Sequence, residues 1–153
     1  MAEPIRRPLM EAHHIRIPVP GTPAGAASAR RQIAEEIRGW GAVLGPALLD
    51  AAVLVASELI TNAVRHAHKG PITAGAYLSG KALRIAVIDT SFDIPEVGLP
   101  DAEEEDGRGL FLVAALADRH GFDPLPSGKR CWAELDLSAP LPAAATHVPQ
   151  MRS

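Results

Sequence analysis

The order in which the apolar period changes along this chain is its strongest constraint on fold. From His13 to Pro20 polar and apolar residues alternate, the pattern of a half-buried strand, and Pro18 and Pro20 restrict that strand to a sheet edge. Thr22-Pro23 then starts a helix: a capping hydroxyl is followed by a proline in the first turn, where its missing N–H does no harm. Ile33, Ile37 and Trp40 recur at helical spacing opposite Arg30, Arg31, Glu35 and Arg38, and Gly39 and Gly41 end the segment. Gly45-Pro46 opens a second helix, whose Leu48, Ala52, Val55, Leu59 and Ala63 form a stripe running to about His68 before Lys69-Gly70-Pro71 stops it. Two strand patterns follow, Ile72 to Leu78 and Ala82 to Asp89, joined by the hairpin-like Ser79-Gly80-Lys81. After a connection from Thr90 to Asp106, Gly107 to Ala117 reads as a helix. Arg130 to Leu137 reads as a last strand with Cys131, Ala133, Leu135 and Leu137 on one side. This order lacks the regular strand–helix alternation of a doubly wound parallel sheet. The expected fold is α+β, a two-layer α/β sandwich with helices packed on one face of a mixed, mainly antiparallel sheet.

The chain has 153 residues, 47% of them hydrophobic, enough to fill one core. The domain is expected over residues 13–137, with proline-rich tails lacking periodicity at 1–12 and 138–153. The longest uninterrupted apolar stretches, such as Ala51 to Ala56 between Asp50 and Glu58, fall far short of a membrane span, so no membrane association is expected. The N-terminal residues carry no hydrophobic segment of the secretory kind, which makes the cytoplasm the expected compartment. Net charge is -3 and no block of Lys and Arg is long enough to track a phosphate backbone, which argues against direct binding of nucleic acid. The single cysteine, Cys131, has no partner for an internal disulfide and reads as a small core residue. The acidic run Asp101 to Asp106 reads as a solvated loop.

Against this background the stretch SELITNAVRHA, Ser57 to Ala67, is unusual, because Glu58, Asn62 and His66 recur at intervals of four in an otherwise apolar helix. Positions four apart on a helix differ by about 40° and about 6 Å of rise, so Glu58 and Asn62 share a face at the border of the Val55/Leu59 stripe. A carboxylate and a carboxamide there suit a base and a neutral oxygen ligand for a hard cation, although the same pair also occurs as solvent-facing neighbours. Asp89 ends the strand LRIAVID where it opens into a loop, a place for a recognition side chain or for a simple turn. In GRGL, Gly107 to Leu110, closely spaced glycines at a helix start expose N–H groups that suit a phosphate, or form a tight turn.

Taken together and in this order, the three signals resemble the GHKL, or histidine-kinase-type, ATPase superfamily with its Bergerat fold. Within it the chain is most similar to small anti-sigma-factor serine kinases and related actinobacterial ATP-binding regulators. The resemblance covers about Ile15 to Leu137. SELITNAVRHA matches the family's N box, VIDTSFDIP stands at the first glycine box, GRGLFLVAALADRHG matches the second, and GKRCWAELDL resembles the closing strand. It implies ATP and Mg2+ as ligands, with Glu58 polarising the attacking nucleophile and Asn62 holding magnesium. Arg65 and His66 would border the phosphates, although for His66 a histidine packed at the helix end is the preferred reading. Asp89 would accept from the adenine amino group, with Ser91 nearby. Gly107, Arg108, Gly109 and Leu110 would close the far side of the pocket, and residues 91–106 would form the ATP lid. The first glycine box usually reads Asp-x-Gly-x-Gly, but here it is Asp89-Thr90-Ser91-Phe92-Asp93, with neither glycine.

The resemblance further implies a sigma factor and a STAS-domain anti-anti-sigma protein as partners, with a serine on the latter as phosphoryl acceptor; a homodimer stays open. The alternative from another class is a non-catalytic interaction module with a degenerate nucleotide pocket.

Overall fold

The computed structural model describes residues 13–66, 70–92 and 105–138, with the backbone alone for 105–108. The tail expected at 1–12, all but the first residue of the tail expected at 138–153, and most of the expected lid lie outside the described residues. The elements in chain order are β1 (His14–Pro18), α1 (Pro23–Arg38), α2 (Gly41–Leu44), α3 (Pro46–His66), β2 (Thr73–Leu78), β3 (Ala82–Asp89), α4 (Glu105–Leu116), β4 (Arg119–Leu125) and β5 (Gly128–Asp136).

The five strands form one sheet in the order β1-β2-β3-β5-β4. Among the described residues all four pairings are antiparallel, where the sequence allowed a mixed, mainly antiparallel sheet. β1 takes the edge, where Pro18 is tolerated, and Ser79 N–H bonds the Ala82 carbonyl at 2.9 Å to close the β2–β3 hairpin. The Thr22 hydroxyl caps α1 by accepting from Gly25 N–H at 3.0 Å, ahead of Pro23 at the start of the helix. Such a cap contributes about 1 kcal/mol.

Alternation sorts each central strand into two faces. Ala74, Ala76, Leu78, Leu83, Ile85, Val87, Cys131, Ala133 and Leu135 are all buried, in one core with Ile33 and Ile37 of α1 and Val55, Leu59 and Ile60 of α3. α3 is long and apolar enough to cross a membrane by length and composition, which the sequence reading did not anticipate; here it is the central core helix, packed on α1, α4 and β3. The opposite face of the sheet is only half-buried and carries polar ladders: Arg84 lies in register with Glu134, bonds it at 2.8 Å, and stacks 4.6 Å from the Trp132 ring centroid.

Three features depart from the sequence-based expectation. α2 is an extra single turn between the two long helices. α4 begins at Glu105, two residues before Gly107; acidic residues at 105 and 106 favour helix there, because carboxylates suit the positive N-terminal end of the macrodipole. β4 was not expected at all. RHGFDPL lacks alternation and contains Pro124, which is compatible with the edge position that β4 occupies. It is held instead by its neighbour: Asp123 accepts from Arg130 at 3.1 Å and from the Trp132 indole at 3.3 Å.

Candidate functional site

α3 presents Glu58 and Asn62 on one face toward its neighbours. Glu58 is half-buried and Asn62 is 7% exposed. The Asn62 Oδ1 atom is buried and has no hydrogen-bond partner. Because an unsatisfied buried acceptor costs about 1–3 kcal/mol, its retention needs a reason, and a ligand supplying a positive group or a donor is one. Among the described residues no group of three or more His, Cys, Asp or Glu side chains could hold a metal by itself. The donor set therefore fits a hard cation such as magnesium only where Asn62 supplies one neutral oxygen and the remaining ligands come from elsewhere, which is how magnesium is commonly bound beside phosphates.

Glu58 is fixed by the absence of a side chain opposite it. A Cβ at Gly109 would stand 2.5 Å from Glu58 Oε1, so the carboxylate rests directly against the α4 backbone. With α4 starting at Glu105, Gly109 lies beyond the first four residues, whose N–H groups are the ones left open. Its service is to admit Glu58. Gly107 and Arg108 do lie in that opening stretch, with no side-chain detail described, and Leu110 is a core residue at 4% exposure. Arg65 and His66 occupy the last turn of α3, the first exposed and the second half-buried, where basic residues complement the C-terminal end of the helix dipole.

Asp89 forms a second cluster. It continues the inward phase of Ile85 and Val87 and is 1% exposed. Its Oδ1 accepts from Ser91 N–H at 2.9 Å, closing a side-chain turn in place of the expected glycine. Its register partner on β5 is Lys129, whose Nζ lies 3.1 Å from Oδ1 and 3.3 Å from Oδ2. Lys129 was not singled out from the sequence, although stepping back along the inward phase of β5 from Ala133 and Cys131 arrives at it. The glycines missing from residues 91 and 93 have counterparts across the turn. A Cβ at Gly128, where φ is 156°, would overlap the Asp89 carbonyl and lie 2.7 Å from Thr90 Cα; one at Gly70, where φ is 89°, would lie 2.7 Å from Thr90 Cγ2. Close approach is thus supplied by facing segments rather than by the box itself.

Two surface depressions lie away from these groups. One of about 250 Å3 sits on the half-buried sheet face near Arg16, Tyr77 and Arg130, and one of about 420 Å3 lies between α1 and α3 near Arg30, Arg31 and Arg38. Neither is lined by Glu58, Asn62 or Asp89. The chemistry decides the assignment here, since the buried orphan acceptor of Asn62 and the buried Asp89–Lys129 ion pair are among the costly features of the described residues. Cys131 takes no part: burial, its largest influence, pushes the thiol up to about 12, which keeps it protonated and inert.

A family model described as a histidine kinase-like ATPase domain matches residues 19–133. No curated protein matches the chain in sequence. Among solved structures, the crystal structure of the RsbU and RsbW domains of Rv1364c from Mycobacterium tuberculosis is similar, with a TM-score of 0.59 and 21% sequence identity. The match covers 83% of this chain and 32% of that one, so this chain spans about a third of the length of the chain it matches.

Proposed function

The chain belongs to the histidine kinase-like ATPase domain family, and on that premise we propose that it is an ATP-binding regulator with serine kinase activity toward a STAS-type anti-anti-sigma partner. The observation that carries this reading is the pairing on α3 of Asn62, with its buried unpartnered Oδ1, and Glu58, seated against Gly109 one turn earlier. Phosphoryl transfer asks a protein mainly for positioning, a cation on the phosphates and a group that orients the nucleophile. Asn62 would hold magnesium, which when bound neutralises phosphate charge. Glu58 would accept the proton of, or orient, the attacking serine hydroxyl. Asp89 would receive the adenine amine, and the open N–H groups at the start of α4 would face the phosphates. The similarity to a structure containing an RsbW domain supports the fold on which this rests. Sequestration of a sigma factor in the cytoplasm is the second activity of the proposal, drawn from the sequence resemblance.

The test separates the two α3 residues. ATP affinity, with and without magnesium, and transfer to a STAS partner are measured side by side for the wild type, Glu58→Ala and Asn62→Ala. Glu58→Ala abolishes transfer and keeps most affinity, because it removes an interaction used mainly in the transition state. Asn62→Ala loses transfer together with the magnesium-dependent part of the affinity. A wild type that binds the partner but transfers nothing, with both variants binding it equally, refutes the kinase. It leaves the second reading, an interaction module with a weak nucleotide pocket, which the occupied state of Asp89 favours.

A further inference from the structure

Asp89 is the side chain through which the pocket would read a base, and its acceptors are already engaged. β3 and β5 pair in register at Asp89 and Lys129, and the inward phase of both strands turns the two side chains toward the helices. The side chains are 1% and 2% exposed. The Lys129 ammonium has an acceptor for each of its three protons: Asp89 Oδ1 at 3.1 Å, Oδ2 at 3.3 Å and the Ser91 carbonyl at 3.4 Å. Oδ1 also receives Ser91 N–H, so Oδ1 carries two donors and Oδ2 one, and at 1% exposure the last acceptor position on Oδ2 is closed to an incoming amine while Lys129 stays in place. The steric fit of Gly128 against Asp89 and Thr90 holds the start of β5 close enough for this to happen.

An adenine amine would approach the same carboxylate as a neutral N–H donor. We infer that Lys129 is an internal competitor for the base: its ammonium occupies the Asp89 oxygens that the exocyclic amine of an adenine nucleotide would engage, so base binding is an exchange of donors in which Lys129 withdraws. This rests on the ATP-binding reading above and adds the residue that sets how strongly the base contributes. A charged donor already paired in a buried site is displaced by a neutral one at a loss, whereas the phosphates, bound at the start of α4 and through Asn62, are untouched by the exchange. The base therefore contributes little in the wild type, and discrimination between a base bearing an amine and one bearing a carbonyl at that position is compressed.

The experiment is calorimetric titration of the full chain with ATP, with inosine triphosphate, which carries a carbonyl in place of the amine, and with inorganic tripolyphosphate, all with magnesium. The variants are Lys129→Thr, whose β-branched side chain suits a strand and whose single hydroxyl can satisfy only one carboxylate oxygen, and Lys129→Met, which keeps the length of the side chain and removes every donor. The expected result is ATP affinity about tenfold higher in each folded variant, on the scale of one hydrogen bond to a charged group. Inosine triphosphate and tripolyphosphate stay as in the wild type. Circular dichroism identifies which variants fold, and either one alone gives the ratio. An ATP-to-inosine ratio that is unchanged or lower in the folded variant overturns the inference and makes Lys129 a support that holds Asp89 for the base. A merely structural role lowers all three affinities together and overturns it as well. No binding of any of the three ligands by any chain is a different result, which removes the nucleotide reading itself and the inference with it.

Discussion

Gly109→Ala tests the seat of Glu58 more sharply than removing the glutamate. The added methyl would stand 2.5 Å from Glu58 Oε1 and 3.6 Å from its carboxyl carbon, while the next contact, at 4.0 Å, is ordinary. The oxygen must therefore retreat by about 1 Å to reach normal contact, and as the far end of a flexible side chain it can do so. Moving the carboxylate off its preferred torsion costs about 0.5–1.5 kcal/mol. Replacing glycine by alanine inside a helix returns about 1 kcal/mol. The two nearly cancel, so urea unfolding is expected to give a stability within about 1 kcal/mol of the wild type. Catalysis has no such compensation: a catalytic group misplaced by about 1 Å costs on the order of 100-fold in rate. On the proposed kinase function, the expected outcome is unchanged stability and ATP affinity with phosphoryl transfer to a STAS-type partner reduced about 100-fold. Transfer at the wild-type rate would show that Glu58 does not act on the nucleophile from this seat. A stability loss above about 3 kcal/mol would show that Gly109 serves packing instead.

Three other outcomes follow from the scaffold. Arg119 first, and then Arg84, hold the Glu134 carboxyl below its ordinary value of 4.5, so the stability it contributes is present above that value and lost as pH falls through the lower folded one. Glu134→Gln should thus destabilise by up to about 1 kcal/mol at neutral pH, with the difference closing in acid; a constant difference across the acid range would contradict the pairing. Thr22→Ala should remove about 1 kcal/mol by leaving Gly25 N–H uncapped, and an unaltered unfolding midpoint would mean that water replaces the cap. A thiol reagent at neutral pH should leave Cys131 unmodified in the native chain and react at the rate of global unfolding, whereas rapid labelling under native conditions would place the thiol at the surface.

Most of the fold was legible because its elements are specified locally. Thr22-Pro23 and Gly39 bound α1 through a cap and a terminator that need no tertiary contact. The stripe from Leu48 to Ala63 carries α3, and the β2–β3 hairpin closes where Ser79-Gly80-Lys81 marks it. β4 was illegible for the opposite reason. Gly121 gives it no side chain to count and a Cβ there would stand 2.9 Å from Trp132 Cζ2, so the strand exists by accommodating the Trp132 ring and by the bonds of Asp123 to β5. A period computed along one strand cannot register a partner that lies on another.

The site divides along the same line. Glu58 and Asn62 could be read because their relation is a helical spacing, and Asp89 because it ends a strand. The second half of the Asp89 cluster required the register between β3 and β5, which fixes Lys129 opposite it. Yet a trace of that pairing was present in the sequence. In β5 the inward residues are Leu135, Ala133 and Cys131, and the next step of two is a lysine; in β3 they are Leu83, Ile85 and Val87, and the next step is an aspartate. A charge on the buried phase of one strand is an anomaly, since its desolvation goes uncompensated. Opposite charges at the inward ends of two strands that an antiparallel sheet would place side by side remove the anomaly at once. The buried ion pair is thereby a consequence of strand phase and register, and the same phase that makes it inevitable puts it at the acceptor a base would need.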